Sequence, residues 1–263
     1  TEKNIFKIGN FMSIEKKPLV NDLYTADPSA HVFNGKIYIY PSHDEDIDVE
    51  NNDNGDQYDM KDYHVYEMPD TETYPKDCGC VLKLEDIPWA SKQLWAPERV
   101  EKDGKYYFVY PARDKEGFFR IGIAIGDKPE GPFKPEPNYI PGSYSIDPCM
   151  FPDTDGKYYL TFGGIWGGQL DQYRNNKWSA DNKEPKGDEL ACTAKIALMK
   201  DNMLEMAEEP KDIMILDENG KPLTGGDEAR RYFEDPWMFK KGDTYYFTYS
   251  TGTTHLLCYA TSK

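Results

Sequence analysis

The sequence predicts an all-β propeller, and three observations predict it. Four segments read alike when stacked, each carries a turn-forming pair at the same place, and helical periodicity is scarce. The units recur at intervals of about 50–90 residues, close to blades of about four strands joined by variable loops.

The first unit runs from Ala26 to Tyr40, with Asp27-Pro28 at its start and Asn34-Gly35 before an alternating Ile-Tyr strand. The second, Ala96 to Tyr110, turns at Asp103-Gly104. Both turn pairs suit a hairpin in which the two central residues need positive φ. The third, Ile146 to Phe162, turns at Asp155-Gly156, and the fourth, Phe233 to Tyr249, at Lys241-Gly242. A further strand is expected after each hairpin, as at 119–125 and 256–261, which makes a meander. The one stretch with a helical reading is 189–207, which reads equally as strand plus loop. Insertions at 44–62 and 166–189 follow the second strand of their units, where loops on a rigid scaffold decorate a binding face. Stretches 134–142 and 217–227 read as plain connections. No linker divides the chain, so residues 1–263 are expected to form a single propeller domain.

The 263 residues suffice for one large domain with a substantial core. Forty-seven acids against 31 bases give a net charge of −16, which argues against a nucleic-acid partner, since phosphate binding needs clustered Lys and Arg. The same field repels anionic membranes and polyanionic glycans, leaving a neutral saccharide as the expected partner. No stretch approaches the ~20 apolar residues of a membrane helix. The first residues, Thr1-Glu2-Lys3-Asn4, show no apolar signal region.

Five cysteines (78, 80, 149, 192 and 258) resemble neither a disulfide framework nor a zinc knuckle, and the four histidines form no H-x-x-x-H pair. No metal site and no cysteine nucleophile are therefore expected. The cysteine usage fits cytoplasm and periplasm alike, and the expected compartment is periplasmic or secreted. Aromatics at 14% suit sheet faces and also the stacking of sugar rings.

In a propeller the first strand of each blade lines the central channel. Asp27, Glu98, Asp147 and the pair Glu234-Asp235 stand at the starts of these strands, so they are expected to converge on one cavity. An acid before proline is also an ordinary turn starter. Yet facing acids are costly, because burial and like charge both oppose ionisation. Stability alone does not account for choosing them in several blades.

These segments resemble family 43 glycoside hydrolases, five-bladed propellers that cleave arabinofuranosides and xylosides. The resemblance rests on Ala26-Asp27-Pro28, Trp95-Ala96-Pro97-Glu98, Ser145-Ile146-Asp147-Pro148 and Phe233-Glu234-Asp235-Pro236-Trp237, all in order across the chain. It implies Asp27 as general base, Glu234 as general acid and Asp147 as the residue that tunes and orients the acid. Aligned on proline, Asp235 rather than Glu234 would match Asp27 and Asp147; the family's usual Glu-Gly-Pro in this blade implies Glu234 instead, with Asp235 where Gly is usual. Inversion is also implied, with the two carboxyl groups about 6.5–9.5 Å apart. Glu234 would then need a raised pKa, with Asp147 as the neighbouring negative charge. Four of the five blades are recognisable, and a C-terminally truncated propeller is expected, with residues 5–20 adding at most one closing strand. No cofactor is required. The one ion that the resemblance implies is a central calcium, held in the family by a histidine of the fifth blade.

Three further residues are expected to bind substrate: Trp95 as a pocket wall, Trp166 as a stacking face within Gly163–Gly168, and Gln169 as a hydrogen-bond partner of sugar hydroxyls. Trp89, Trp178 and Trp237 read as structural. The expected activity is release of α-L-arabinofuranosyl or β-D-xylosyl units from xylan or arabinan oligosaccharides. An endo-acting arabinanase or xylanase of the same fold, and a glycan-binding propeller without catalysis, are the alternatives. The oligomeric state is not legible.

Overall fold

The structure, a computed structural model, describes residues 18–252 and 255–263. Four antiparallel blade sheets follow one another along the chain, and a two-stranded ribbon of Tyr173–Arg174 and Lys177–Trp178 lies in the loop within the third. The first is a four-stranded meander of Thr25–Phe33, Lys36–His43, Asp62–Met68 and Lys76–Lys83. In the second, Ala90–Lys92 and Glu98–Lys102 both pair with Lys105–Asp114, followed by Phe119–Gly126 and Lys134–Pro135. The third holds Cys149–Pro152, Tyr158–Phe162, Lys195–Leu198 and Lys211–Asp212. The fourth holds Tyr232–Lys241, Thr244–Thr251 and Leu257–Ser262.

The hairpins form where the turn residues demand them. Asn34 and Gly35 have φ 52° and 77°, and Asp103 and Gly104 have φ 53° and 75°, the left-handed pair that matches strand twist. Lys134–Pro135, read as connection, is the outer strand of the second sheet, paired to 124–125. Within 189–207 the strand reading holds: Lys195–Leu198 pairs with Tyr159–Phe162, so sheet pairing overrides the helix propensity of its alanines. Among the described residues the only helical turns are three short 3₁₀ segments, Leu84–Asp86, Trp166–Gly168 and Leu170–Gln172. Of the stretch 5–20, residues 5–17 lie outside the described residues, and 18–20 carry no strand.

The first strands of the four sheets surround a common axis. His31 of the first sheet pairs with Glu98 of the second at 2.8 Å and packs its ring 5.4 Å from that of Trp237 in the fourth. Tyr158 of the third donates to the Glu101 carbonyl of the second, and the Met238 amide of the fourth donates to Cys149 Sγ of the third. Four blades are thus in propeller arrangement. The core lies between the blades. One cluster, with Tyr40, Tyr63, Phe108, Tyr110 and Phe133, fills the space between the first two. Another, with Val109, Ile121, Leu160, Phe162, Tyr232 and Phe247, joins the second, third and fourth. Strand 105–114 feeds both, because its side chains alternate between faces: Phe108 and Tyr110 on one, Val109 on the other. A blade covered on both faces needs this nearly continuous apolar run.

Candidate active site

At one end of the axis the strand starts open into a cavity of about 550 Å³ that holds Asp27, Asp147, Glu234 and Asp235 together. The three aspartates before proline share an unusual backbone. Asp27, Asp147 and Asp235 have φ 46°, 54° and 57°. Left-handed backbone disfavours most side chains, and aspartate is among the few that visit it. In the first and fourth blades the ladder slips at this point, between Ala26 and Ser29 and between Glu234 and Trp237, so each acid is turned out of the sheet toward the cavity.

Asp147 is buried, Glu234 half-buried, and Asp27 and Asp235 are accessible from the cavity. Asp147 Oδ2 accepts the backbone N–H of Asp235 at 3.1 Å, and Asp235 Oδ2 accepts the Ser250 hydroxyl at 2.8 Å. Glu234 sits against Gly164. A Cβ there would stand 2.7 Å from Ile146 Cδ1 and 3.2 Å from Glu234 Cβ, so glycine makes the room.

Burial raises all four carboxyls. Asp27 is lifted to about 6, by burial first, then by Asp235 and Asp44. Glu234 is lifted to about 8, by burial first, then by Asp235 and Asp27. Asp147 is pushed well above the carboxylate range by burial and by the charges of Asp235, Glu234 and Asp27, against the Asp235 amide. Asp235 is raised by burial and lowered by the Ser250 hydrogen bond. Asp27 is open to the cavity solvent, and exclusion of that water by a bound ligand would raise it further. The charge of Glu234 is among those that raise Asp147, so the two carboxyls act on one another; at Glu234 the lift comes first from burial, then from Asp235 and Asp27.

Two tryptophans line the cavity that holds the acids. Trp95 Nε1 donates to the Tyr58 carbonyl at 2.8 Å, and its ring packs 4.6 Å from Phe119. Its edge fits against Gly55, where a Cβ would lie 2.5 Å from Cη2. Trp166, 41% exposed, packs edge-on against Phe233 at 5.2 Å and donates Nε1 to Glu184 Oε2 at 2.9 Å. Glu184 in turn pairs with the buried Arg231 at 2.6 Å. Loop 44–61 contributes Asn51, Asn52, Asp53, Gln57 and Tyr58 to the rim, as its placement after the second strand suggested.

Gln169 departs from the expected role in sugar binding. It is buried, does not line the cavity, and its carboxamide is engaged inside the fold: Oε1 accepts the Phe119 amide at 2.9 Å and Nε2 donates to the Gly117 carbonyl at 3.2 Å. Glu98 lies fully buried against His31, away from the cavity. Trp89 is core, stacked on Tyr110. In the first sheet His43, Asp62 and His64 each bring one ligand atom within 4.8 Å of the others'.

The profile of the family described as Glycosyl hydrolases family 43 matches residues 16–262. A "Xylosidase/arabinosidase" of Bacteroides ovatus is 56% identical over 251 residues, covering 95% of this chain and 77% of its own. "Xylosidase/arabinosidase 43A" of Humicola insolens is 57% identical over 250 residues, covering 91% and 76%. Among solved structures, CoXyl43, a β-xylosidase/α-arabinofuranosidase from a compost microbial metagenome, superposes with a TM-score of 0.90 at 55% identity. It covers 93% of this chain and 76% of its own, and is described as a complex with xylotriose in calcium-free form.

Proposed function

The chain belongs to glycosyl hydrolases family 43, and from that premise we propose that it is an exo-acting glycosidase releasing β-D-xylosyl or α-L-arabinofuranosyl units from neutral xylan or arabinan oligosaccharides, with inversion. The observation that carries the reading is the meeting of Asp27, Asp147 and Glu234, from three different blades, in one aromatic-walled cavity.

Glu234, raised to about 8, is protonated at neutral pH and gives its proton to the departing glycosidic oxygen. Asp27, raised to about 6, is largely ionised there and takes a proton from the attacking water. The bond from the anomeric carbon to the leaving oxygen breaks as the water oxygen bonds to the opposite face. Asp147 holds the Asp235 amide and so fixes the strand that carries the acid. Trp95 and Trp166 offer π-faces to the sugar C–H groups. The insertions raise walls around the acids, which favours a pocket for a chain end over an open groove.

Calcium takes six to eight oxygen ligands. Among the described residues the one cluster of His, Cys, Asp and Glu ligands offers two imidazoles and a carboxylate. That set does not fit calcium, and no step here runs through it.

Turnover of p-nitrophenyl β-D-xyloside and α-L-arabinofuranoside by the wild type, beside Glu234→Ala, tests the proposal. Turnover that collapses in the variant supports it and names the sugar. A wild type silent on both glycosides and on xylo- and arabino-oligosaccharides overturns it in favour of a binding propeller.

A further inference from the structure

We propose that His43, Asp62 and His64 form a binding site for a divalent transition metal of the zinc class, which staples the neck of loop 44–61. The site rests on the geometry of the first sheet and not on the hydrolytic reading of the cavity.

Strand Lys36–His43 ends on His43, and strand Asp62–Met68 begins on Asp62. These two residues are therefore the posts between which the loop leaves and returns. His64, two residues after Asp62, points to the same face of its strand. The sheet brings one ligand atom from each of the three within 4.8 Å of the others. His43 Nδ1 lies 2.6 Å from Asp62 Oδ1, and the two imidazole rings stand 5.4 Å apart at 70°. The side chains are 20%, 26% and 17% exposed, enough for an ion to enter and too little for freely mobile surface groups.

The donor set selects the ion. Two imidazoles and one carboxylate suit zinc and its neighbours, with one position left for water. In a tetrahedral site, ligands about 2.0–2.2 Å from the ion lie roughly 3.4 Å from each other. Rotations that open the His43–Asp62 contact and draw the widest pair in by up to about 1.4 Å complete it. A carboxylate beyond the ligands is already in place. Asp77, on the neighbouring strand, meets His64 Nδ1 at 2.9 Å, leaving Nε2 as the nitrogen to ligate. Asp77 is itself fixed by the Gly79 amide at 2.6 Å. The alternative is two ordinary histidine–carboxylate pairs, His43 with Asp62 and His64 with Asp77.

The place of the site gives it a consequence. Asp44, next to His43, lines the cavity and is one of the charges that raise Asp27, and Asn52, Asp53, Gln57 and Tyr58 of the same loop line it too. A metal joining the two posts would order the loop that carries them.

The test is calorimetric titration of chelator-stripped protein with Zn²⁺, and with Co²⁺ read by its visible ligand-field bands. Wild type, His43→Gln, His64→Gln and Asp77→Asn are compared, with folding checked by circular dichroism. One equivalent of Zn²⁺ is expected in the wild type, with affinity at least about 100-fold lower in both histidine variants and about 10–100-fold lower in Asp77→Asn. Co²⁺ bands of low coordination number are expected in the wild type and lost in the same variants. If one histidine variant fails to fold, the other carries the comparison, since either ligand is needed. Equal Zn²⁺ uptake by wild type and folded variants, or none by the wild type, overturns the site.

Discussion

The backbone amide of Asp235 donates to the buried carboxyl of Asp147 at 3.1 Å, tying the strand that carries Glu234 to the neighbouring blade. On the proposed reading this contact makes Asp147 a positioning residue, its partner Asp235 being next to Glu234. Asp147→Ala should lower kcat by on the order of 10²-fold with a smaller change in KM, the effect of misplacing a reacting group by about an ångström. Asp147→Asn keeps a carbonyl oxygen to accept the same N–H and should recover most of that loss. Steady-state kinetics of the two variants check this; equal damage from both would point to a role for the acid itself.

The raised carboxyls predict a bell-shaped pH profile. Activity should rise as Asp27 ionises near pH 6 and fall as Glu234 loses its proton near pH 8, read from kcat/KM. Asp235 raises both groups, so Asp235→Asn should move both limbs to lower pH, by about one unit or less.

The same shifts act on stability. Glu234 has a folded pKa above its unfolded one, so it favours folding below about pH 4 and loses that contribution as pH rises through about 8. Glu234→Gln should therefore be more stable than wild type above pH 8, by a few degrees in Tm where each kcal/mol is worth about 2–4 °C. Thermal unfolding at pH 5 and pH 9 checks the sign, with the gain expected at pH 9.

The tryptophan walls and Gln169 should separate cleanly. Trp166→Ala should raise KM by about 3–10-fold through loss of a stacking face. Gln169→Ala should leave KM near wild type and destabilise the fold by about 1–3 kcal/mol, because the Phe119 amide and Gly117 carbonyl lose their partner. Paired KM and unfolding measurements distinguish binding from support.

The blades were legible because their signals are local. Asn34-Gly35 and Asp103-Gly104 state their own backbone, and alternation states which face is buried. The convergence of Asp27, Asp147 and Glu234 followed from the repeat, since equivalent strand starts share one end of the axis. What stayed hidden depends on register and on which side chain reaches which backbone. Gln169 looked free among glycines, but its left-handed backbone (φ 67°) sits where the amide reaches Phe119 and Gly117 rather than the cavity. That Asp235 and Asp27, after burial, raise Glu234 depends on packing that the sequence does not display. Asp235 is the structural counterpart of Asp27 and Asp147 in φ, which explains both the ambiguity of the proline alignment and the suitability of glycine at that place. His43 and His64 are separated by an insertion whose closure no spacing rule describes.

The central claim, that Glu234 is the proton donor, is tested most directly by the leaving-group dependence of Glu234→Ala. Against xylobiose, whose departing oxygen needs a proton, kcat/KM should fall by about 10³-fold or more. Against a dinitrophenyl xyloside, which departs unaided, it should fall by less than about tenfold. Equal loss on both substrates, or this pattern in Asp235→Ala instead, would contradict the assignment.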